Sequence, residues 1–143
     1  MFESVRSVRP AWIGFGWFIA IALTSLALFV MISMGIIRAD APTEGMGISL
    51  ALLGGFLVAG FFVGTRVNAA PILHGIGMGL CSLIAWLVLN LFVGEATDTA
   101  AWNAVPASVA VGLLALQAAA AVVGARAGVR LARRAASASS SAG

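Results

Sequence analysis

His74, Cys81 and Gln117 are the residues of this chain best suited to chemistry, and each stands nearly alone. An imidazole such as that of His74 can titrate near neutral pH or ligate a metal, but one ligand makes no metal site without further copies. Cys81, the only cysteine, excludes an internal disulfide and a four-thiolate metal site. As a nucleophile it would need a neighbouring base, and His74 lies nearly two helical turns away along the chain. An intramembrane serine or aspartyl protease needs a base or paired carboxylates at depth, and no apolar run carries them. The glycine runs are not nucleotide loops, since no strand pattern precedes them and no Lys-Ser/Thr follows. The residues therefore predict a protein that is not an enzyme and that holds no cofactor and no metal.

A second group is polar without being reactive. Thr24 and Ser25, Ser82, and Gln117 fall at similar depth in three different apolar runs. They are expected to form a midplane polar layer, with Gln117 bonded across helices, a bond contributing roughly 0.6–2 kcal/mol. On that expectation Gln117→Leu weakens packing modestly.

The third group is the arginines, which report orientation. The 143 residues are 62% hydrophobic and 9% charged, with a mean hydropathy of +1.09, far from the balance of a soluble domain. Four apolar spans follow, at about 11–37, 46–66, 71–93 and 104–126. The chain is thus an all-α membrane protein, a four-transmembrane-helix bundle. A 1–10 tail precedes the bundle, and a Ser/Ala-rich 135–143 tail is expected to be disordered. The first run is too long for a signal-peptide core, despite Ala39-Asp40-Ala41 after it. Trp12, Trp17 and Trp102 are expected at the membrane interfaces.

Four crossings place both termini on one side. Arg6, Arg9, Arg66, Arg126, Arg130, Arg133 and Arg134 then share that side, and only Arg38 lies opposite. Arginine excess marks the cytoplasmic face, so both termini are expected in the cytoplasm of a cell with an inner (plasma) membrane. The arginines would meet anionic lipid headgroups, each contributing about 1 kcal/mol of attraction. No nucleic-acid partner is expected, because aromatic residues do not interleave the basic cluster.

Small residues set how the helices meet. Gly47, Ala51, Gly54 and Gly55 fall on one broad face of the second span, with Gly60 and Gly64 on the far side in a Gly-xxx-Gly pair. Gly75 and Gly79 share a stripe of the third span with Ser82, and Gly124 shares a face of the fourth with Gln117, Ala121 and Gly128. Val63-Gly64-Thr65-Arg66 also returns as Val123-Gly124-Ala125-Arg126, 60 positions on, and Gly14-x-Gly16 as Gly75-x-Gly77, 61 positions on. A 2+2 repeat of parallel hairpins would produce such echoes; coincidence in so small-residue-rich a chain is the competing explanation.

Through Gly54-Gly55, Gly60, Gly64-x-Arg66 and His74-Gly75, the sequence resembles small uncharacterised prokaryotic four-span membrane proteins. These carry a Gly-Gly…Gly-x-Arg…His-Gly hairpin between spans two and three. The resemblance covers the middle third of the chain, implies the four-span topology and supplies no activity. The expected function is an accessory or scaffold subunit of a membrane complex, or a self-associating bundle. The alternative is a small oligomeric channel or facilitator for a neutral or weakly charged solute, lined by Thr24, Ser25, Ser82 and Gln117.

Overall fold

The computed structural model describes residues 7–37, 44–93 and 107–140. Among the described residues there are four helices: α1 (Pro10–Ser33), α2 (Glu44–Val67), α3 (Pro71–Val93) and α4 (Ala107–Ser140). All four are long and apolar enough to cross a membrane, so the chain is a multi-pass membrane bundle. Arg6, Arg38, Trp102 and the loop between α3 and α4 lie outside the described residues.

Helix ends follow from local chemistry. Pro10 opens α1 at its first turn, where the missing N–H leaves no bond unmade. The expected span to Ile37 ends earlier, at Ser33, because Gly35 takes a φ of 69°. The Ile36 N–H then reaches back to Met31 O at 2.9 Å and the Gly35 N–H to Ile32 O at 2.9 Å, a Schellman closure. Ile37 folds back into the bundle and is buried against Gly47. Glu44 lies in the first turn of α2, at the favourable end of the helix dipole.

The far end of α4 departs from expectation. Residues 135–140, expected to be disordered, continue the helix to Ser140. Alanine and arginine are strong helix formers. Two of the serines that would oppose them return their hydroxyls to the helix: Ser137 Oγ donates to Arg134 O at 2.9 Å and Ser139 Oγ to Ala136 O at 2.8 Å. At 34 residues, α4 is about 51 Å long against a hydrocarbon core of about 30 Å. Its last turns therefore project beyond the bundle.

The helices form a ring in the order α1, α2, α4, α3. α2 packs most extensively on α4, and α1 with α3 is the loosest neighbouring pair. Adjacent helices in sequence are antiparallel, so α1 runs parallel to α3 and α2 parallel to α4. The core is built from Ala20, Phe56, Ala59, Val63, Met78, Ala120 and Ala121. α1 is the least buried of the four, turning Phe15, Phe18, Leu26, Phe29 and Ile32 outward.

Candidate functional site

Among the described residues, the most extensive helix contact is the seam between α2 and α4. A Cβ on Gly60 would strike the backbone of Ala121, and one on Gly64 the backbone of Ala125. From the other side, a Cβ on Gly124 would strike the Leu57 carbonyl, and one on Gly128 the Phe61 carbonyl. The two Gly-xxx-Gly pairs are therefore reciprocal, equivalent positions being 64 apart. The 60-residue echo in the sequence pairs Gly64 with Gly124 instead, one helical turn out of register.

Gly55 lies against Ala20 and Thr24 of α1, Gly75 against Val122 of α4, and Gly79 against Ala118 of α4. Gly47 meets Ile37, and Ala51 is buried beside it on α2. Gly54 is the exception. A Cβ there would meet nothing within 4 Å, so Gly54 packs against no helix of its own chain. It lines an outward groove of about 270 Å³ between α1 and α2, with Leu23, Ala27, Met31 and Leu50. Gly77, part of the sequence echo with Gly16, lies against Ile13 of α1, and Gly16 lies against Val63 of α2 and Met78 of α3.

His74 is almost wholly buried, 1% exposed, at the start of α3. The Arg9 backbone N–H donates to its Nε2 at 3.3 Å, which places the ring proton on Nδ1. Nδ1–H then donates to Ala70 O at 2.8 Å. Ala70 itself holds a φ of 42° in the α2–α3 turn, beside Asn68 at 51°. The ring thus ties the entry of α1 to the turn between α2 and α3. With both nitrogens engaged, it offers Cys81 no base.

The expected polar layer does not assemble. Thr24 is buried between α1 and α2, its Oγ1 donating to Ala51 O at 3.5 Å. Ser25, the next residue, is turned away from the bundle and exposed, because neighbours on a helix differ by about 100° in direction. Ser82 and Gln117 are buried elsewhere, at the meeting of α1, α3 and α4. Trp17, expected at an interface, points inward, and its Nε1–H donates to Ser82 Oγ at 3.0 Å. The expected bond across helices from Gln117 fails at its oxygen: Oε1 is buried with no hydrogen-bond partner.

Arg9, Arg66, Arg126, Arg130, Arg133 and Arg134 are all exposed, and the helix directions gather them at one end of the bundle. There the Arg66 guanidinium lies 5.6 Å from the centroid of Phe62. Phe62 in turn joins Trp12 and Phe15 in an aromatic cluster linking α1 to α2. A cation over aromatic rings at a helix end suits a membrane–water boundary.

No protein-family model, curated protein or solved structure matches this chain. The chain's candidate site residues divide into a reciprocal glycine seam, an outward groove at Gly54, and a pair of buried polar side chains at Ser82 and Gln117.

Proposed function

We propose that this chain is a non-enzymatic bundle of the bacterial inner membrane that works through helix packing, as an accessory subunit of a membrane complex or by self-association. The observation that carries this reading is Gly54. The other glycines assigned to packing are each used within the chain, whereas Gly54 faces an open groove of small and apolar residues. Small residues that leave a backbone accessible are where a further helix approaches closely in lipid. The arginine-rich end is the cytoplasmic one, holding both termini and resting against anionic headgroups. The facilitator reading draws no support from the placement of Thr24, Ser25, Ser82 and Gln117, which share no common path.

The test is mass measurement of the protein extracted in mild detergent, with and without Gly54→Leu. The wild-type protein is expected in a particle larger than a single chain. Gly54→Leu is expected to release the single chain without lowering its melting temperature. A wild-type protein that is already a lone chain would remove this reading.

A further inference from the structure

Between α1, α3 and α4 lies a cavity of about 310 Å³, roughly twice the ~150 Å³ space that accommodates a benzene ring. The indoles of Trp17 and Trp86 line it, with Ser82 and Gln117, each 8% exposed, as its buried polar members. Ser82 Oγ accepts from Trp17 Nε1–H at 3.0 Å, which fixes that indole as one wall. Ile21 and Leu89 also line the space and are exposed on the bundle surface, so its mouth opens sideways towards lipid.

Gln117 shows this space only one of its two polar ends. Its Oε1 is turned into the protein, without accessible surface and without a hydrogen-bond partner. Nε2 is not enclosed with it, so the amide NH₂ is the group that Gln117 turns to the cavity. That group donates and cannot accept, and among the described residues it has no acceptor.

A ligand therefore has to bring an acceptor, and depth limits which ones arrive. Gln117 lies about 15 Å along α4 from Ala107, half of a hydrocarbon core about 30 Å thick. Phospholipid carbonyls stay in the headgroup region, and acyl chains carry no acceptor at that depth. A carbonyl on a flat, otherwise apolar ring meets both conditions, and the two indoles give such a ring faces to lie against.

We propose that this cavity binds the ring of a neutral, membrane-partitioned quinone. The ring lies against Trp17 and Trp86, and one carbonyl accepts from Gln117 Nε2–H. An apolar tail leaves through the mouth past Ile21 and Leu89. This site is separate from the groove at Gly54 and goes beyond the packing function.

The experiment uses the full chain in lipid nanodiscs, in a Trp12→Phe, Trp102→Phe background that leaves Trp17 and Trp86 as the only indoles. The probe is 2,3-dimethyl-1,4-naphthoquinone, which quenches indole fluorescence and whose methyl groups block addition of Cys81. The competitor is 2,3-dimethylnaphthalene, of similar outline but without carbonyls, and both concentrations are corrected for lipid partitioning. The expected result is saturable quenching, with the quinone about tenfold tighter than the hydrocarbon, as one hydrogen bond allows. Gln117→Leu, which removes the donor at similar volume, should weaken the quinone about tenfold and leave the hydrocarbon unchanged. Ala85→Phe, which fills the cavity, should abolish saturable quenching. Non-saturable quenching of the parent protein, or saturable quenching that persists in Ala85→Phe, would overturn the proposal. So would a quinone affinity unchanged in Gln117→Leu, a readout that does not depend on the Ala85 variant folding.

Discussion

Gly124 holds on α4 the place that Gly60 holds on α2. Gly60 lies against the backbone of Ala121, and Gly124 against the carbonyl of Leu57, each four residues or fewer from the other's own glycine. With Gly64 and Gly128 repeating the relation one turn on, the two parallel helices meet as near-equivalents about an axis along the membrane normal. Without water to drive apolar surfaces together, this backbone proximity is the main attraction available to them.

Adding one methyl at either glycine should therefore have a similar effect. Gly60→Ala and Gly124→Ala are each expected to lower stability by about 1–3 kcal/mol, the range for overpacking a tight interface. Gly54→Ala, which meets open space, should leave stability unchanged. Thermal unfolding of the three variants in one detergent separates the cases.

At Gln117 the predicted sign reverses between sequence and structure. A carboxamide bonded across helices would be missed if replaced, but here Oε1 has no partner. Gln117→Leu is expected to raise stability by about 1 kcal/mol, since it removes an unpaired buried acceptor at similar volume. A fall in melting temperature would show that the amide oxygen is bonded.

The Trp17–Ser82 hydrogen bond, 3.0 Å long, should appear as a coupling of about 1 kcal/mol in a double-mutant cycle with Trp17→Phe and Ser82→Ala. Additive losses would mean that the bond contributes nothing beyond packing.

The turn between α2 and α3 holds Ala70 at a φ of 42°, a region that disfavours an L side chain by about 1–2 kcal/mol. Ala70→Gly should relieve part of that and raise the melting temperature. His74→Ala should do the opposite, losing about 1–3 kcal/mol, because both hydrogen bonds of the buried ring, from the Arg9 N–H and to Ala70 O, would be lost. Hydrogen exchange at the Arg9 amide reads the second effect directly.

The sequence made the four spans legible because hydropathy and length depend only on composition along the chain. It made the Gly60-xxx-Gly64 pair legible for the same reason that any helix wheel works. Which face meets a neighbour is a different matter. Gly54 and Gly55 are adjacent, yet one packs on α1 and the other faces outward; Thr24 and Ser25 divide likewise. Grouping polar residues by depth ignored direction around the helix, and so joined side chains that belong to separate interfaces. Val-Gly-x-Arg matches as a string at a separation of 60, whereas the helices align Gly60 with Gly124 and Gly64 with Gly128, one turn further on. The helical extension to Ser140 was hidden by serines that compete for the backbone in isolation and bond back into it here.

The account as a whole rests on two parallel hairpins that return to the same side. The direct measurement is labelling of intact spheroplasts with a membrane-impermeant maleimide, using single cysteines at Gly45, Asn68 and Ser139 in a Cys81→Ser background. Asn68→Cys and Ser139→Cys should react only after the membrane is opened, and Gly45→Cys should react before. Labelling that places positions 68 and 139 on opposite sides of the membrane would contradict the account.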